Sequence, residues 1–255
     1  IKGRIPFINF FDGFRTSHEI QKIQTWDFED LKDMADFDAI QAFRDNALNP
    51  NHAVEKGQAQ NPDVFFQINE SRNQFYDKLP EIVQEYMDKV NAKLGTDYKL
   101  FNYYGAEDAE VVIIAMGSVN DTIEETIDYL TKQGKKVGLV KVRLYRPFSA
   151  KALIEALPKS VKRIEVLDRT KEAGSIGEPL YLDVVAALRD TEFANVPIFT
   201  GRYGLGSKDT TPKDIVAVFE NTEKKRFTVG IVDDVTHLSL ETGANLVTTP
   251  EGTTN

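Results

Sequence analysis

Between residues 109 and 200, short apolar runs alternate with amphipathic stretches. The apolar runs are VVIIAMG (111–117), KKVGLVKVRLY (135–145), VKRIEVLD (161–168) and VPIFT (196–200). The stretches between them, at 121–134, 149–158 and 177–189, carry apolar residues at helical spacing. Continuous apolar strands followed by amphipathic helices indicate a parallel sheet covered by helices on both faces. We therefore predict an α/β fold, which a helix beginning at Thr211-Pro212 and a strand over 227–232 continue.

The chain opens on an apolar stretch, IKGRIPFINFF (1–11), which reads as a buried strand. Asp12-Gly13 is predicted to form a turn after it. No preceding turn or cap introduces this strand, and an isolated strand cannot bury both of its faces. We therefore expect the chain to be an internal segment of a longer polypeptide, flanked by partial domains. A processed natural terminus is the alternative.

Helical spacing dominates the stretch before residue 100. Thr16–Glu19 matches the capping box, so a short helix is predicted to start there. Two longer stretches, at 36–48 and 71–94, carry apolar stripes at helical spacing. Gly95 is suited to end the second of these helices, and Pro80 is expected to kink or divide it.

Composition removes several classes of function. Lys and Arg number 31 against 40 Asp and Glu, a net charge of −9 that argues against general binding to nucleic acid. There is no cysteine, and the three histidines are far apart in sequence, so no thiolate or histidine metal motif is present. The apolar runs are much shorter than the roughly 20 residues of a membrane helix. We expect a cytoplasmic protein that binds neither membranes nor nucleic acid.

Gly117–Asp121 is the first candidate site, because it connects the end of a predicted strand to the start of a predicted helix. At that position of a doubly wound sheet, the free amide groups of the helix can hold an anion. The alternative is structural: Gly117 makes a tight turn, and Ser118 or Asn120 caps the helix. Neither the GxGxxG nor the Walker pattern of nucleotide-binding loops occurs in this stretch.

The sequence GRYGLGSK (201–208) is the most informative stretch. Its three glycines let the backbone approach a ligand, while Arg202, Ser207 and Lys208 supply donors suited to phosphate. A glycine-rich interdomain linker with two solvated charges explains the same sequence equally well.

Other polar clusters follow predicted strands. Asp233-Asp234 with His237 permits acid/base or metal chemistry, although a turn or cap role for His237 is the commoner one. We expect Asp168–Thr170 and Gly174–Glu178 to line the edge of an interdomain crevice. No nucleophile–base pair is evident, so the residues alone predict no catalytic group.

Four blocks of the sequence resemble one enzyme family. PFINFFDGFRTSHEIQKI (6–23) resembles the end of the first domain of the pyruvate:ferredoxin (flavodoxin) oxidoreductases. Residues 111–149 are similar to the second domain of that family, which itself resembles the transketolase C-terminal domain. Residues 201–212 and 227–240 resemble the opening of the third domain. The blocks occur in the family's order and cover most of the chain.

The resemblance implies a homodimeric enzyme that uses thiamine diphosphate, Mg²⁺ and 4Fe–4S clusters. Such an enzyme converts pyruvate and coenzyme A to acetyl-CoA and CO₂, and passes electrons to ferredoxin or flavodoxin. It also implies three domain assignments: the end of a thiamine pyrimidine-type domain at 1–35, a transketolase-C-like domain at 36–192, and the start of a coenzyme A-contacting domain at 193–255.

The resemblance further implies that coenzyme A contacts Thr236 and the loop Gly204, Leu205, Gly206, Ser207 and Lys208, with Arg202 beside it. The family's GDG-then-Asn diphosphate motif and its cluster cysteines do not occur in this sequence. We therefore expect this segment to hold no cofactor by itself and to be inactive alone. Two alternatives remain: a non-catalytic transketolase-C-like scaffold module, or part of another thiamine-dependent 2-oxoacid dehydrogenase.

Overall fold

A computed structural model describes residues 1–13, 15–20, 22–55, 57, 59–244 and 246. The chain forms two compact units. The first, which we call the helical unit, comprises 1–10 and 20–100, and the second, the sheet unit, comprises 11–19 and the chain from 101 onward.

Helices come first along the described chain, and strands and helices follow in near alternation. The helices are α1 (Arg15–His18), α2 (Phe28–Met34), α3 (Phe37–Asp45), α4 (Phe65–Glu70), α5 (Asn73–Leu94), α6 (Val119–Thr131), α7 (Ala150–Ala156), α8 (Pro179–Leu188) and α9 (Pro212–Glu220). The strands are β1 (Phe101–Gly105), β2 (Val111–Ala115), β3 (Val137–Val142), β4 (Arg163–Asp168), β5 (Ile198–Arg202) and β6 (Arg226–Thr228).

The sheet unit is built on a six-stranded sheet in the order β1-β3-β2-β4-β5-β6. β2 to β6 pair in parallel, as the alternating pattern predicts, and β1 pairs antiparallel with β3. Helices cover both faces: α6 packs with α9, and α7 packs with α8. Ile113, Leu139 and Phe227 form the core under α6 and α9. The predicted α/β fold is confirmed, with the antiparallel β1 as an addition.

The helical unit contains α2 to α5. The predicted helices over 36–48 and 71–94 are confirmed as α3 and α5. The Asp36 side chain caps α3 by accepting a hydrogen bond from the Ala39 amide at 2.9 Å. Gly95 ends α5 in a left-handed conformation, with φ of 69°. Pro80 lies inside α5 without dividing it.

Three expectations for the N-terminal part are wrong. Residues 1–11 are largely exposed and form no strand within the described chain, because an extended segment becomes a strand only where another backbone pairs with it. Asp12 and Gly13 lie in an irregular segment. The Thr16–Glu19 box does not start a helix, since the single turn α1 already ends at His18.

The compact units change at other positions than the domain boundaries expected from the resemblance, which stay a prediction. The chain changes from one unit to the other at 10/11, 19/20 and 100/101. The expected boundary at 192/193 lies inside the sheet unit, because β5 pairs with β4 and β6 pairs with β5. Residues 198–228 therefore extend the same sheet.

Candidate functional site

The loops at the carboxyl edge of the parallel strands carry the candidate site. β2 ends at Ala115, β4 at Asp168 and β5 at Arg202. Parallel strands bring their carboxyl ends to one edge of a sheet, which is where ligands bind in open α/β folds. Gly117, Arg169 and Gly204 follow these strand ends, so three of the polar stretches noted in the sequence meet at this edge.

The loop from Gly204 to Lys208, which we call the glycine loop, has an unusual backbone. Gly204, Gly206 and Ser207 all have positive φ, at 64°, 62° and 61°. Glycine adopts this conformation without steric cost, and adjacent residues that differ in hand can turn successive amides toward one concave side. All four residues from Leu205 to Lys208 are exposed. The loop therefore presents the Ser207 hydroxyl and the Lys208 ammonium group to solvent, while the Lys208 amide donates to the Leu205 carbonyl at 3.3 Å.

The segment after β6 lies beside the glycine loop. A Cβ placed on Gly230 would be 3.9 Å from Cγ of Lys208 and 3.8 Å from the Asp209 carbonyl oxygen. The Val229 amide donates to the Arg202 carbonyl at 3.1 Å, which fixes this segment to the end of β5. The structure thus brings the two stretches implied by the resemblance to the same edge of the sheet.

Arg202 does not serve as a donor on the loop surface. Its side chain is 8% exposed, and its Nη1 lies 3.4 Å from Oε1 of the buried Glu178. Glu178 also accepts a hydrogen bond from the Glu172 amide at 2.7 Å. The guanidinium is thus occupied inside the sheet unit, where it fixes the segment before α8. Its expected role as a phosphate donor is not supported by this geometry.

Asp234 organises the turn that contains Thr236 and His237. Its carboxylate accepts hydrogen bonds from the amides of Leu238, at 3.2 Å, and Ser239, at 2.7 Å. Burial acts to raise the pKa of Asp234, but these hydrogen bonds outweigh it and the pKa is lowered. The Thr236 hydroxyl lies 3.3 Å from the same carboxylate. His237 has φ of 57°, as expected of a turn residue, so this cluster is a structural turn with an exposed threonine.

At the first candidate site, Gly117–Asp121, the carboxylate of Asp12 takes the place that was expected for a bound anion. Oδ2 of Asp12 accepts a hydrogen bond from the Ser118 amide at 2.5 Å, at the N-terminus of α6. The Ser118 side chain does not cap the helix. Gly117 has φ of 84°, and a Cβ there would lie only 2.6 Å from Oδ2 of Asp12. The anion that this helix terminus favours is therefore a carboxylate from 106 residues earlier in the chain.

Arg169 connects Asp12 to the glycine loop. Its Nη1 lies 3.1 Å from Oδ1 of Asp12, and its Nε donates to the Gly204 carbonyl at 2.9 Å. Burial acts to raise the pKa of Asp12, but the Ser118 hydrogen bonds and the Arg169 charge outweigh it, so this pKa is lowered. Sequence reasoning missed Asp12 as part of the site, whereas Arg169 belongs to the Asp168–Thr170 stretch expected at the edge of a crevice. The only signal was that Asp12 belongs to the FFDGFRTSHE block.

Asp168, at the end of β4, has a structural role. Its two oxygens accept hydrogen bonds from the Leu180 and Tyr181 amides, at 3.0 and 3.2 Å, so it caps α8. Burial raises the pKa of Asp168 to about 6, because these bonds offset only part of the cost of desolvating the charge. Asp168 and Glu178, expected at the edge of a crevice, both have buried side chains.

The described residues contain no group of three or more His, Cys, Asp or Glu side chains placed to hold a metal ion. Within the same residues, no helix is long and apolar enough to cross a membrane.

The mostly parallel sheet, with an exposed glycine loop at its carboxyl edge, defines an α/β domain of the doubly wound class. Two family models match the chain. "Pyruvate:ferredoxin oxidoreductase core domain II" matches residues 109–215. "Pyruvate flavodoxin/ferredoxin oxidoreductase, thiamine diP-bdg" matches residues 1–88, a range that includes the expected boundary at 35/36. The chain belongs to the pyruvate:ferredoxin (flavodoxin) oxidoreductase family.

Curated relatives are similar along the whole chain. The pyruvate-flavodoxin oxidoreductase of Enterobacter agglomerans is 56% identical over 100% of this chain. The pyruvate:ferredoxin oxidoreductase of Moorella thermoacetica is 54% identical over 99% of it. The chain spans 22% of the length of each of these relatives.

One solved structure, the 2-oxoglutarate:ferredoxin oxidoreductase of Magnetococcus marinus, has a TM-score of 0.39 and 22% identity. It covers 67% of this chain, and the match covers 26% of that structure.

Proposed function

We propose that this chain is a segment of a homodimeric, cytoplasmic pyruvate:ferredoxin or pyruvate:flavodoxin oxidoreductase. The enzyme converts pyruvate and coenzyme A to acetyl-CoA, CO₂ and a proton, and the two electrons released reduce the carrier. The observation that carries this proposal is the 56% identity over 100% of the chain with a pyruvate-flavodoxin oxidoreductase.

The acceptor is not set by this segment. The pyruvate dehydrogenase [NADP(+)] of Cryptosporidium parvum is 49% identical over 92% of the chain. Relatives named for flavodoxin, ferredoxin and NADP(+) thus share this segment. We infer that the choice of electron acceptor is made elsewhere in the enzyme.

Within this enzyme, we assign the described residues no chemical step. The proposed 4Fe–4S clusters need cysteine ligands, and this sequence contains no cysteine. Residues 1–88 match a family model described as thiamine diphosphate-binding, but the described residues give no geometry for that cofactor or for Mg²⁺. We therefore derive no step through those groups. The segment contributes structure and one proposed contact with coenzyme A, and we expect it to reduce no electron carrier by itself.

The coenzyme A contact is proposed at the glycine loop and Thr236. The chain has a net charge of −9, so a ligand with several phosphate charges needs a local set of donors. Gly204, Gly206 and Ser207 have positive φ, and the exposed residues Ser207 and Lys208 in the loop and Thr236 in the turn after β6 carry side-chain donors. Arg202 contributes indirectly, by fixing the segment before α8 through Glu178.

The test is a Lys208→Ala variant of the complete enzyme. Because Lys208 is exposed, its charge is worth about 1 kcal/mol or less, so we expect the KM for coenzyme A to rise about three- to fivefold. The KM for pyruvate should not change. Lys151→Ala is the matched control, since Lys151 is an exposed lysine on α7 whose partner is Glu155 at 3.9 Å.

Two results would contradict the coenzyme A contact. An unchanged KM for coenzyme A would indicate that the glycine loop is a linker, and it would favour the alternative of a non-catalytic scaffold module. Equal losses with Lys208→Ala and Lys151→Ala would mean that any lost surface charge has the same effect.

A further inference from the structure

Asp12 uses its two carboxylate oxygens for different partners. Oδ2 accepts from the Ser118 amide, and Oδ1 pairs with Arg169 at 3.1 Å. The side chain is 17% exposed and that of Arg169 is 28% exposed, so the pair is only partly reached by solvent. Such a pair is screened less than a surface ion pair and has a better-defined geometry.

Arg169 passes this constraint to the first residue of the glycine loop. Its Nε donates to the Gly204 carbonyl at 2.9 Å. A Cβ on Gly204 would lie 3.1 Å from Nε of Arg169, so the guanidinium packs closely against the backbone. Gly204 is buried, while the four residues after it are exposed. The arginine therefore holds the loop at the point where it leaves the core.

We propose that Asp12 is a positioning residue for the glycine loop and acts through Arg169. The Asp12 charge holds the guanidinium, the guanidinium holds the Gly204 carbonyl, and the loop amides keep their orientation as a result. The identity of the ligand, coenzyme A, rests on the proposed function, whereas the positioning of the loop does not.

A role confined to capping α6 is the competing explanation. It makes a different prediction, because capping needs only an acceptor oxygen at the Ser118 amide. Asp12→Asn retains such an oxygen and removes the charge that faces Arg169. Arg169→Lys retains the charge and removes the Nε donor to Gly204. If Asp12 acts through Arg169, the two substitutions break one chain of contacts at different points.

The experiment measures hydrogen exchange of the amides of residues 204–208 in the complete enzyme without coenzyme A, together with the KM for coenzyme A. We expect Asp12→Asn and Arg169→Lys each to speed exchange in the loop about three- to tenfold. The double variant should equal the larger single effect, because the substitutions are coupled. Asp108→Asn is the control: it breaks an exposed ion pair with Lys136, of 2.7 Å, and should change neither quantity.

The outcomes separate this proposal from the proposed function. Unchanged exchange in the loop, or additive effects in the double variant, would overturn the positioning role. Faster exchange with an unchanged KM would support positioning and contradict the coenzyme A contact. Faster exchange with a raised KM supports both. If Asp12→Asn does not fold, Arg169→Lys alone still decides whether Gly204 depends on the guanidinium.

Discussion

The helical unit and the sheet unit bury their apolar residues to very different extents. In the described part of the sheet unit, apolar side chains from five strands and from helices α6 and α9 form one buried cluster. In the described part of the helical unit, only Leu79 and Leu100 are buried apolar residues. Most of the large exposed apolar side chains, including Phe7, Phe10 and Phe66, belong to this helical unit.

The difference shows where the folding free energy of the chain resides. Apolar burial is the dominant favourable contribution to folding, and the sheet unit supplies nearly all of it. The helical unit has partly exposed ion pairs instead, such as Lys2 with Glu85 at 2.7 Å. Exposed pairs of this kind contribute about 1 kcal/mol or less each. We therefore expect the sheet unit to fold on its own core and the helical unit to be the less stable of the two.

Core substitutions should produce the largest contrast. Ile113 in β2 is 0% exposed, and Ile113→Ala should lower the free energy of unfolding by about 2–5 kcal/mol. Phe66 in α4 is 71% exposed, and Phe66→Ala should change it by about 0.5 kcal/mol or less. Denaturant unfolding followed by far-UV circular dichroism checks both. Comparable losses from the two variants would contradict the division between the units.

A buried carboxylate provides a second contrast between the units. Burying its charge lowers the free energy of unfolding, and only a large apolar core compensates for that loss. Glu165 in β4 is fully buried, and its Oε1 accepts from Nε of Arg163 at 2.8 Å. Its Oε2 has no hydrogen-bond partner among the described residues. Burial raises the pKa of Glu165 to about 8, and the nearby Arg163 and Asn221 oppose this shift only in part.

The sign of the pH dependence follows from this raised pKa. Between the ordinary pKa near 4.5 and about 8, the folded state holds the proton that the unfolded state has released, so stability falls as pH rises. Glu165→Gln should remove this slope, so the stability of the variant relative to the parent chain should be higher at pH 9 than at pH 5, by an amount on the order of a few kcal/mol. Unfolding measured across that range checks it. A parallel pH dependence in Glu165→Gln and the parent chain would contradict the assignment.

The exposed apolar residues of the helical unit provide the smallest effect. Phe7 and Phe10 are 59% and 64% exposed, and exposed apolar patches favour association. Replacing both by Ser should lower the apparent molar mass of the chain at high concentration, as measured by light scattering. Val232→Ser with Val235→Ser is the matched control in the sheet unit, where both valines are also exposed. An equal decrease with the control pair would remove the distinction between the units.

The part of the fold that was predictable from sequence is the part whose pattern is local. β2, α6, β3 and α7 each carry an uninterrupted apolar run or stripe, and all four are confirmed. β1 was missed because FNYYG is short and mixes polar and aromatic residues, and its pairing with β3 is a tertiary choice. The opening segment failed for the opposite reason: its apolar residues resemble a strand, but no described strand pairs with them.

The candidate site shows the same limit. The glycine loop was visible because glycines and donors are adjacent in sequence. The environment of Arg202 was not predicted, since its pairing with Glu178 joins residues 24 positions apart. Asp12 was missed because its partner amide lies 106 residues away. Contacts between distant polar residues leave no periodic signal, so sequence reasoning identifies a glycine-rich loop more readily than the residues that hold it.

The most direct test of the central claim is hydrogen exchange of the complete enzyme with and without saturating coenzyme A. The claim is that the glycine loop on the sheet unit contacts coenzyme A. We predict that coenzyme A slows exchange of amides in 204–208 and in 230–237, and that Lys208→Ala reduces this protection at a fixed ligand concentration. Protection confined to other parts of the enzyme, with exchange in 204–208 unchanged, would contradict the claim.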